Sequence, residues 1–445
     1  MQERCFQPRS ISTAEAPAPA LEVGQLLESA LSASGRADFA DRSFVPALKR
    51  LIEACRQEAN LSRLGTLALR HDVLRCLGNL LRFDELEARF PAVLAAPVRA
   101  PVFITGMPRS GTTFLHRLIV QDPNTIAPRL YQLVHADAAH GGRVASFVRK
   151  AGVRLQLALF RLIAPEFHAL HPLGVDEPEE CTDIIAQVFH SSRFESSYRV
   201  PSYGAWLHAS GFLDAYRFHR RFLQHLQVHC PERRWILKSP DHVFALDEMR
   251  AVYPDARLVV VHRDPVRVLA SVAKLTQVMR TPFTRRIDPV EIGSEVTASW
   301  RDGARRIAAL SSDDRSILHL HYRWIVSHPL DAVDAIYRHC GLTLSGEAKH
   351  RMFRWLDRMR IAGRPSRRYD LAGFGLNPHR LREEFRHYTD KLRIRWSRPP
   401  NWQYRPAAPA EPCCQLPWRQ HWRHAHIRWR YKLIFLRKQP CHRAW

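Results

Sequence analysis

The sequence predicts an α/β fold in which a central parallel sheet carries helices on both faces and a layer of helices precedes the sheet. Leucine and alanine recur at helical spacing over residues 21–91, which indicates several amphipathic helices before the first strand. Short apolar runs then alternate with helical segments over residues 102–388, as strands and crossover helices do in a parallel sheet. The run at residues 258–261 is apolar throughout, which is typical of a strand buried on both faces.

Composition divides the chain into four segments. Residues 1–20 are polar and contain several prolines and alanines, which predicts disorder. Residues 21–98 are the predicted helical region, and residues 99–398 are the predicted α/β domain. Residues 399–445 read as a proline-rich linker followed by a basic, aromatic tail.

The charge of the chain predicts an anionic partner. The 445 residues carry a formal net charge of +24, and the pI is near 10.3. Nucleotides, nucleic acids, anionic lipids and acidic glycans would all suit such a surface, so charge alone does not choose among them.

Cysteine usage and the apolar runs indicate in which cellular compartment the protein works. The nine cysteines are odd in number and never spaced as CxxC, so neither a disulfide framework nor a zinc ribbon is indicated. The N-terminus lacks the apolar core of a signal peptide, and the most apolar internal run, VRLQLALFRLIAPEF, is interrupted by arginine and glutamine. We expect a reduced, cytoplasmic enzyme, which the basic tail could hold at an anionic membrane surface.

A candidate anion-binding loop lies in PVFITGMPRSGTTFLHRLI, residues 101–119. An apolar run leads to Gly106 and Gly111 and an amphipathic run follows, so the stretch predicts a strand, a tight loop and a helix. Such a loop aims backbone N–H groups and the positive end of the helix dipole at an anion. Three hydroxyls could add hydrogen bonds: those of Ser110, Thr112 and Thr113. In the triphosphate-binding pattern GxxxxGK[ST] a lysine stands where this chain has Thr112, so the charge that handles the terminal phosphate of ATP is missing.

Two further predicted strands end in cationic residues, Lys238 and Arg263. Open α/β sheets bind their ligands at the carboxyl ends of the strands, so both side chains are candidates for a binding site. Each is followed by a capping residue and a proline, which predicts that a helix begins there: Ser239 with Pro240, and Asp264 with Pro265. Ser271 lies eight residues after Arg263, two turns up the second helix, so the two side chains could hold one phosphate.

These motifs resemble those of sulfotransferases that use 3′-phosphoadenosine 5′-phosphosulfate (PAPS), in the bacterial-type branch of that family. GMPRSGTT at residues 106–113 is similar to their 5′-phosphosulfate loop, and HRDPVRVLAS at residues 262–271 is similar to their 3′-phosphate motif. LKSP at residues 237–240 and HYRWIVSHP at residues 321–329 resemble two further blocks. The resemblance covers about residues 100–390 and implies a P-loop-like three-layer sandwich.

The resemblance also implies how the donor is held. PAPS has a sulfonated 5′-phosphate and no β- or γ-phosphate, which agrees with Thr112, and its separate 3′-phosphate requires a second anion site. The implied donor-binding residues are Arg109, Ser110, Gly111, Thr112, Thr113, Arg263, Ser271 and Tyr322. Arg109 and Lys238 are further implied as catalytic residues on the sulfonate and the bridging oxygen. Because the sulfonate carries less charge than a phosphoryl group, no metal is expected.

The general base departs from the family pattern. Relatives often carry a glutamate some twenty residues beyond the loop, whereas the matching stretch APRLYQLV has Gln132, which cannot accept a proton. Three explanations are open: the general base lies elsewhere in the chain, the acceptor needs little deprotonation, or the protein is a weak catalyst. Among the carboxylates of GVDEPEECTD, which include Glu179, we favour Glu177 or Glu180 as catalytic residues.

The predicted function is therefore transfer of a sulfonate group from PAPS to a hydroxyl, or less readily an amine, by in-line displacement. A P-loop kinase is one alternative, and Thr112 argues against it. A membrane or nucleic-acid binder that works through the basic tail is another. We expect no nucleic-acid partner, and neither the class of acceptor nor the oligomeric state follows from the sequence.

Overall fold

The computed structural model describes residues 21–139, 142–228, 230–361 and 370–394. The segment of residues 1–20, predicted to be disordered, and the linker and tail of residues 399–445 lie outside the described residues. The domain boundaries drawn from composition therefore stay predictions.

The predicted N-terminal layer consists of three helices, α1 (Val23–Ser34), α2 (Val45–Gln57) and α3 (Arg63–Arg89). The hydroxyl of Ser62 caps α3 by accepting a hydrogen bond of 3.0 Å from the N–H of Gly65. Apolar residues at helical spacing place Leu48 and Leu77 in the core, where they are fully buried.

The sheet has five parallel strands in the order β2, β3, β1, β4, β5. Their bounds are β1 (Val102–Gly106), β2 (Thr125–Ile126), β3 (Arg234–Lys238), β4 (Arg257–His262) and β5 (Ile317–His321). The central strand β1 pairs with β3 on one side and with β4 on the other, so Phe103 lies between Leu237 and Leu258. The carboxyl ends of these three strands therefore meet at one edge of the sheet.

Sixteen more α-helices follow α3 in the described residues. They are α4 (Thr112–Ile119), α5 (Leu130–Val134), α6 (Arg143–Ile163), α7 (Pro165–Leu170), α8 (Thr182–Ile185), α9 (Arg193–Ser197), α10 (Pro201–Ser210), α11 (Leu213–Gln227), α12 (Leu246–Val252), α13 (Pro265–Arg280), α14 (Pro289–Ala309), α15 (Tyr322–Ser327), α16 (Pro329–His339), α17 (Gly346–Ile361), α18 (Pro378–Glu384) and α19 (Arg386–Lys391). Within the described part of the chain, none of these helices combines the length and the apolar character that crossing a bilayer requires.

Both faces of the sheet are covered, which confirms the predicted three-layer sandwich. Successive strand residues point to opposite faces, so Phe103 and Leu237 join the larger core with Leu48 and Leu77. Their neighbours join a second core against α4, α16 and α17: Val102, Ile104, Ile236, Val259 and Val261. A strand whose two faces are both buried needs apolar residues at every position, which explains the uninterrupted run in β4.

The two predicted caps are present. The hydroxyl of Ser239 accepts a hydrogen bond of 3.1 Å from the N–H of Asp241 and begins a short 3-10 helix, Pro240–Phe244. The carboxylate of Asp264 accepts a hydrogen bond of 3.0 Å from the N–H of Val266 and begins α13. β3 therefore ends at Lys238, and β4 ends at His262, one residue before Arg263; in each case a helix begins two residues after the cationic side chain.

Replacing Gly106 by alanine should destabilise the sheet where the loop begins. Its backbone has φ of +126°, and an added Cβ would lie 2.2 Å from the carbonyl oxygen of Val261 on the neighbouring strand. We expect Gly106→Ala to lower the free energy of unfolding by at least about 3 kcal/mol, measured by urea denaturation. Gly78→Ala is the matched control, since Gly78 has open space within α3 and alanine should be neutral or stabilising there. Equal midpoints for Gly106→Ala and the unaltered protein would contradict this account.

Candidate active site

The loop between β1 and α4 forms a cradle for an anion. Gly106 and Gly111 have positive φ angles of +126° and +93°, and Arg109 between them has φ of +59°. Helix α4 begins at Thr112, so the N–H groups of its first turn have no partners within the helix. The hydroxyl of Ser110 is fully buried and has no hydrogen-bond partner among the residues that the structure describes. A buried hydroxyl of this kind is costly unless it is satisfied, so the cradle fits a phosphate or sulfonate oxygen.

Lys238 brings a positive charge to this cradle. It ends β3 opposite Ile104 of β1, and its side chain is 1% exposed. Its ammonium donates a hydrogen bond of 3.1 Å to the hydroxyl of Thr113, in the first turn of α4, and forms an ion pair with the carboxylate of Glu180. The N–H of Cys181 donates to the carbonyl oxygen of Lys238 at 2.9 Å, which attaches the acidic segment to the end of this strand.

Two more side chains surround Glu180. The N–H of Glu180 donates to the carboxylate of Glu179 at 3.2 Å, and His171 lies 3.4 Å from the same oxygen. Burial alone would raise the pKa of Glu179, but the hydrogen bond from His171 and the nearby cations lower it to about 2. Ligand atoms of His171, Glu179 and Glu180 lie within 4.8 Å of one another, a spacing that could hold a metal ion. The ammonium of Lys238 already pairs with Glu180, and the expectation that no metal is used stays a prediction.

Arg263 and Ser271 form a second group on the other side of β1. The guanidinium of Arg263 donates to the carbonyl oxygen of Arg109 and lies over the ring of Tyr322, 4.0 Å from its centre. Burial lowers the pKa of Arg263, and the charge of Arg109 acts in the same direction. The ring of Tyr322 also packs directly against the loop: a Cβ added at Gly111 would lie 2.9 Å from the ring. Tyr322 is the first residue of α15 and directly follows the end of β5 at His321.

The side chain of Arg109 lies with this second group. Its Nε donates to the hydroxyl of Ser271 at 3.1 Å, and a terminal nitrogen donates to the carbonyl oxygen of Leu170 at 3.0 Å. The resemblance had implied Arg109 for the sulfonate, beside Lys238. In this structure Arg109 and Lys238 form no hydrogen bond with each other, and Arg109 adds a second guanidinium next to Ser271.

The two favoured carboxylates are separated by the fold. Glu180 contacts Lys238, whereas Glu177 lies 3.4 Å from the guanidinium of Arg117, is 47% exposed and forms no ion pair with Lys238. Gln132 has a structural role, because its side-chain oxygen accepts a hydrogen bond of 2.9 Å from the N–H of Arg129 and caps α5. The structure thus brings Glu180, and not Glu177, to the cationic end of β3.

A small, partly open cleft, with room for about one water molecule, lies beside the segments that carry Glu180 and Lys238. Its polar wall contains Thr182, Ser239 and Asp241, and burial raises the pKa of Asp241 to about 6. Its other lining residues are mostly aromatic or apolar, namely Cys181, Ile185, His208, Phe212, Tyr216, His219, His242, Phe244 and Ala245, with Ser192 between them. Two of these are placed by α10: His208 lies in its last turn, and Phe212 lies two residues beyond its end.

Sequence reasoning missed His171 and Leu170 at this site. His171 follows Leu170 at the end of α7, and the two contact Glu179 and Arg109. No spacing signal marks either residue. Leu170 lies 61 residues after Arg109, and the contact between His171 and Glu179, eight residues apart, depends on how the chain turns after α7.

The fold, with a glycine-bearing loop between its central strand and a helix, is that of an α/β protein of the P-loop-like type. Residues 101–346, more than half of the chain, match the model of the family described as Sulfotransferase family. The chain belongs to the sulfotransferase family, as its motifs predicted.

Similar proteins come from mycobacteria. The chain is 26% identical over 263 residues to the omega-hydroxy-beta-dihydromenaquinone-9 sulfotransferase Stf3 of Mycobacterium bovis and to that of Mycobacterium tuberculosis, a match covering 56% of this chain and 64% of theirs. The crystal structure of sulfotransferase STF1 from Mycobacterium tuberculosis H37Rv has a TM-score of 0.72 at 29% identity, covering 82% of this chain and 98% of that one. Sulfotransferase STF9 from Mycobacterium avium shares the fold, with a TM-score of 0.73 at 24% identity over 86% and 99% of the two chains.

Proposed function

We propose that this protein transfers a sulfonate group from PAPS to a hydroxyl acceptor, or less readily to an amine. The observation that carries the proposal is the presence of two separate cationic groups, one at the end of β3 and one directly after β4, on the two sides of the loop. A nucleotide that bears a sulfonated 5′-phosphate and a distinct 3′-phosphate requires such a pair. A γ-phosphate would instead require a lysine where Thr112 is buried.

The proposed donor site has two ends. At the first, the buried hydroxyl of Ser110, the start of α4 and the ammonium of Lys238 would hold the 5′-phosphosulfate. At the second, Arg263 and Ser271 would hold the 3′-phosphate, and Arg109 lies close enough to Ser271 to join them. The ring of Tyr322, stacked on Arg263, offers a flat surface at which the adenosine could lie.

The proposed reaction is an in-line displacement at sulfur. The acceptor oxygen forms a bond to sulfur while the bond from sulfur to the bridging oxygen breaks, and its electron pair stays with the departing adenosine 3′,5′-bisphosphate. The ammonium of Lys238 would stabilise the charge that develops on that oxygen, and the carboxylate of Glu180 would take the acceptor proton. Their ion pair supports this division of roles, because it holds an acid and a base at one point beside the loop.

The class of acceptor is proposed from the relatives. The Stf3 proteins are named for an omega-hydroxylated dihydromenaquinone, an alcohol, and this supports a hydroxyl acceptor here. The basic tail of residues 399–445 is proposed, from its sequence alone, as a contact to anionic membranes.

Recognition of the 3′-phosphate tests the proposed function. We expect the protein to bind adenosine 3′,5′-bisphosphate about ten- to a hundredfold more tightly than 5′-AMP, measured by calorimetry, because charged hydrogen bonds to the second phosphate are lost with AMP. In Arg263→Gln this preference should fall to a few-fold, whereas Arg306→Gln, which removes an exposed arginine of α14, should retain it. ATP should not compete. Equal affinity of the unaltered protein for the two nucleotides would refute the proposal.

A further inference from the structure

Helix α6 is attached to the protein along one face. Val153 is its one buried residue within the described helix. The ring of Phe160 packs against that of Phe167 in α7, with centres 5.0 Å apart, and Arg149 forms an ion pair of 2.6 Å with Asp137. These contacts determine which face of the 21-residue helix points outward.

The outward face of α6 is apolar over its whole length. Residues of an α-helix advance by about 100° each, so positions spaced by three, four, seven or eleven share one side. Six large apolar residues of α6 fall within one such sector and are 55–78% exposed; we call them the α6 stripe: Val144, Phe147, Val148, Leu155, Leu159 and Leu162. Exposed large apolar residues are normally scattered singly, so a continuous row on one helix marks a contact surface.

A row of arginines borders the α6 stripe. Arg143, Arg154 and Arg161 are eleven and seven residues apart, which places them on the same flank of the helix. Arg143 and Arg154 have no acidic partner in the part of the chain that the structure describes. The sequence of α6 contains no aspartate or glutamate. The helix therefore presents an apolar face and a cationic edge side by side.

The apolar face and the cationic edge of α6 together indicate what kind of surface binds this helix. A second copy of the protein would bring the same cations and a net charge of +24 to the contact, so it offers no charge complementarity. An anionic lipid surface supplies both an apolar phase and a layer of phosphates next to it. We propose that α6 docks the protein on anionic membranes, with the α6 stripe in the acyl boundary and the arginines on lipid phosphates. The proposal does not depend on the transfer reaction.

Docking through α6 would place the donor site near the membrane. Helix α7 begins two residues after α6 ends, and its last residue, Leu170, accepts the hydrogen bond from Arg109. Phe167 and Leu170 share a small apolar cluster with Val278 of α13, the helix that carries Ser271. The membrane-facing helix and the proposed 3′-phosphate site are thus joined through one short, packed segment.

Vesicle binding by the full-length protein tests the proposal. The unaltered protein should co-sediment with vesicles of phosphatidylglycerol and phosphatidylcholine, and much less with phosphatidylcholine alone. Leu155→Gln combined with Leu162→Gln should weaken binding about tenfold or more, and each of Arg143→Gln, Arg154→Gln and Arg161→Gln about fivefold. Leu64→Gln with Leu67→Gln, two exposed leucines of α3, is the matched control and should bind like the unaltered protein.

Three outcomes would overturn the proposal. The first is failure of the unaltered protein to bind the anionic vesicles. The second is binding of the α6 variants equal to that of the control, which would assign binding to the basic tail present in every variant. The third is sedimentation of the unaltered protein as a dimer without lipid and of the leucine variant as a monomer, which would make the α6 stripe an interface between copies. The affinity of each variant for adenosine 3′,5′-bisphosphate serves as the test of folding. It should be unchanged, because the replaced side chains are exposed.

Discussion

Replacing Lys238 by methionine is expected to reduce turnover about a hundred- to a thousandfold while binding of adenosine 3′,5′-bisphosphate falls by only a few-fold. The ammonium is 1% exposed and lies at the first turn of α4, where it donates to Thr113. A fixed charge in a site shielded from water stabilises the leaving oxygen most strongly once the bond to sulfur is breaking, so its removal affects the transition state more than the bound nucleotide. Release of adenosine 3′,5′-bisphosphate from PAPS, in the presence of an extract of hydroxyl compounds, measures the rate.

The control for this variant must separate catalysis from folding. Methionine leaves the carboxylate of Glu180 without its partner, and the loss of one member of a buried ion pair destabilises a protein. Nucleotide affinity and the thermal melting temperature should therefore be measured on the same samples. Lys49→Met, an exposed change on α2, should retain full turnover. Turnover of Lys238→Met within threefold of the unaltered protein would remove Lys238 from the mechanism.

Replacing Glu180 by glutamine is expected to reduce turnover about a hundred- to ten-thousandfold. Glutamine has nearly the same shape and can still accept a hydrogen bond from Lys238, but it cannot take up the acceptor proton. The carboxylate is 20% exposed, so an acceptor can approach it from solvent. The same release assay measures the effect, with nucleotide binding as the test of folding.

Glu177→Gln is the matched control for Glu180. The two carboxylates lie in the same acidic segment, yet Glu177 is 47% exposed and pairs with Arg117. We expect Glu177→Gln to keep turnover within about threefold, as is usual for an exposed ion pair. A large loss in Glu177→Gln, or none in Glu180→Gln, would mean that the base has been assigned to the wrong residue.

Local sequence chemistry predicted much of the site. The strand, loop and helix around Gly106 and Gly111 are present, and so are the caps at Ser239 and Asp264. Each of these features depends on residues within a few positions of one another. The placement of Lys238 at a strand end followed from the same rules, because a cap with proline ends the strand directly after it.

The features of the site that the sequence did not predict depend on contacts between segments that are distant in the chain. Nothing in the acidic segment itself distinguishes Glu180 from Glu177, and the bond from the N–H of Cys181 to the end of β3 makes the choice. The direction of the Arg109 side chain depends on Ser271 and on the end of α7, which no spacing in the loop could predict. The arginines of α6 are different, because helical periodicity within the one segment is enough to bring them to one flank.

The strand order sets the distance between the two proposed anion-binding ends of the donor site. Lys238 ends β3 and Arg263 directly follows β4, so two strand spacings, about 10 Å, separate them across the sheet. Arg263 also lies farther along the strand direction, because Lys238 pairs with Ile104 whereas Val261 pairs with Gly106. The hydrogen bonds of three parallel strands fix the separation of the strand ends from which the two residues extend. Discrimination between isomeric nucleotides, such as those phosphorylated on the 2′ and the 3′ carbon, would then reside in rigid main chain, and mutations in the surrounding loops should alter affinity without altering which isomer is preferred.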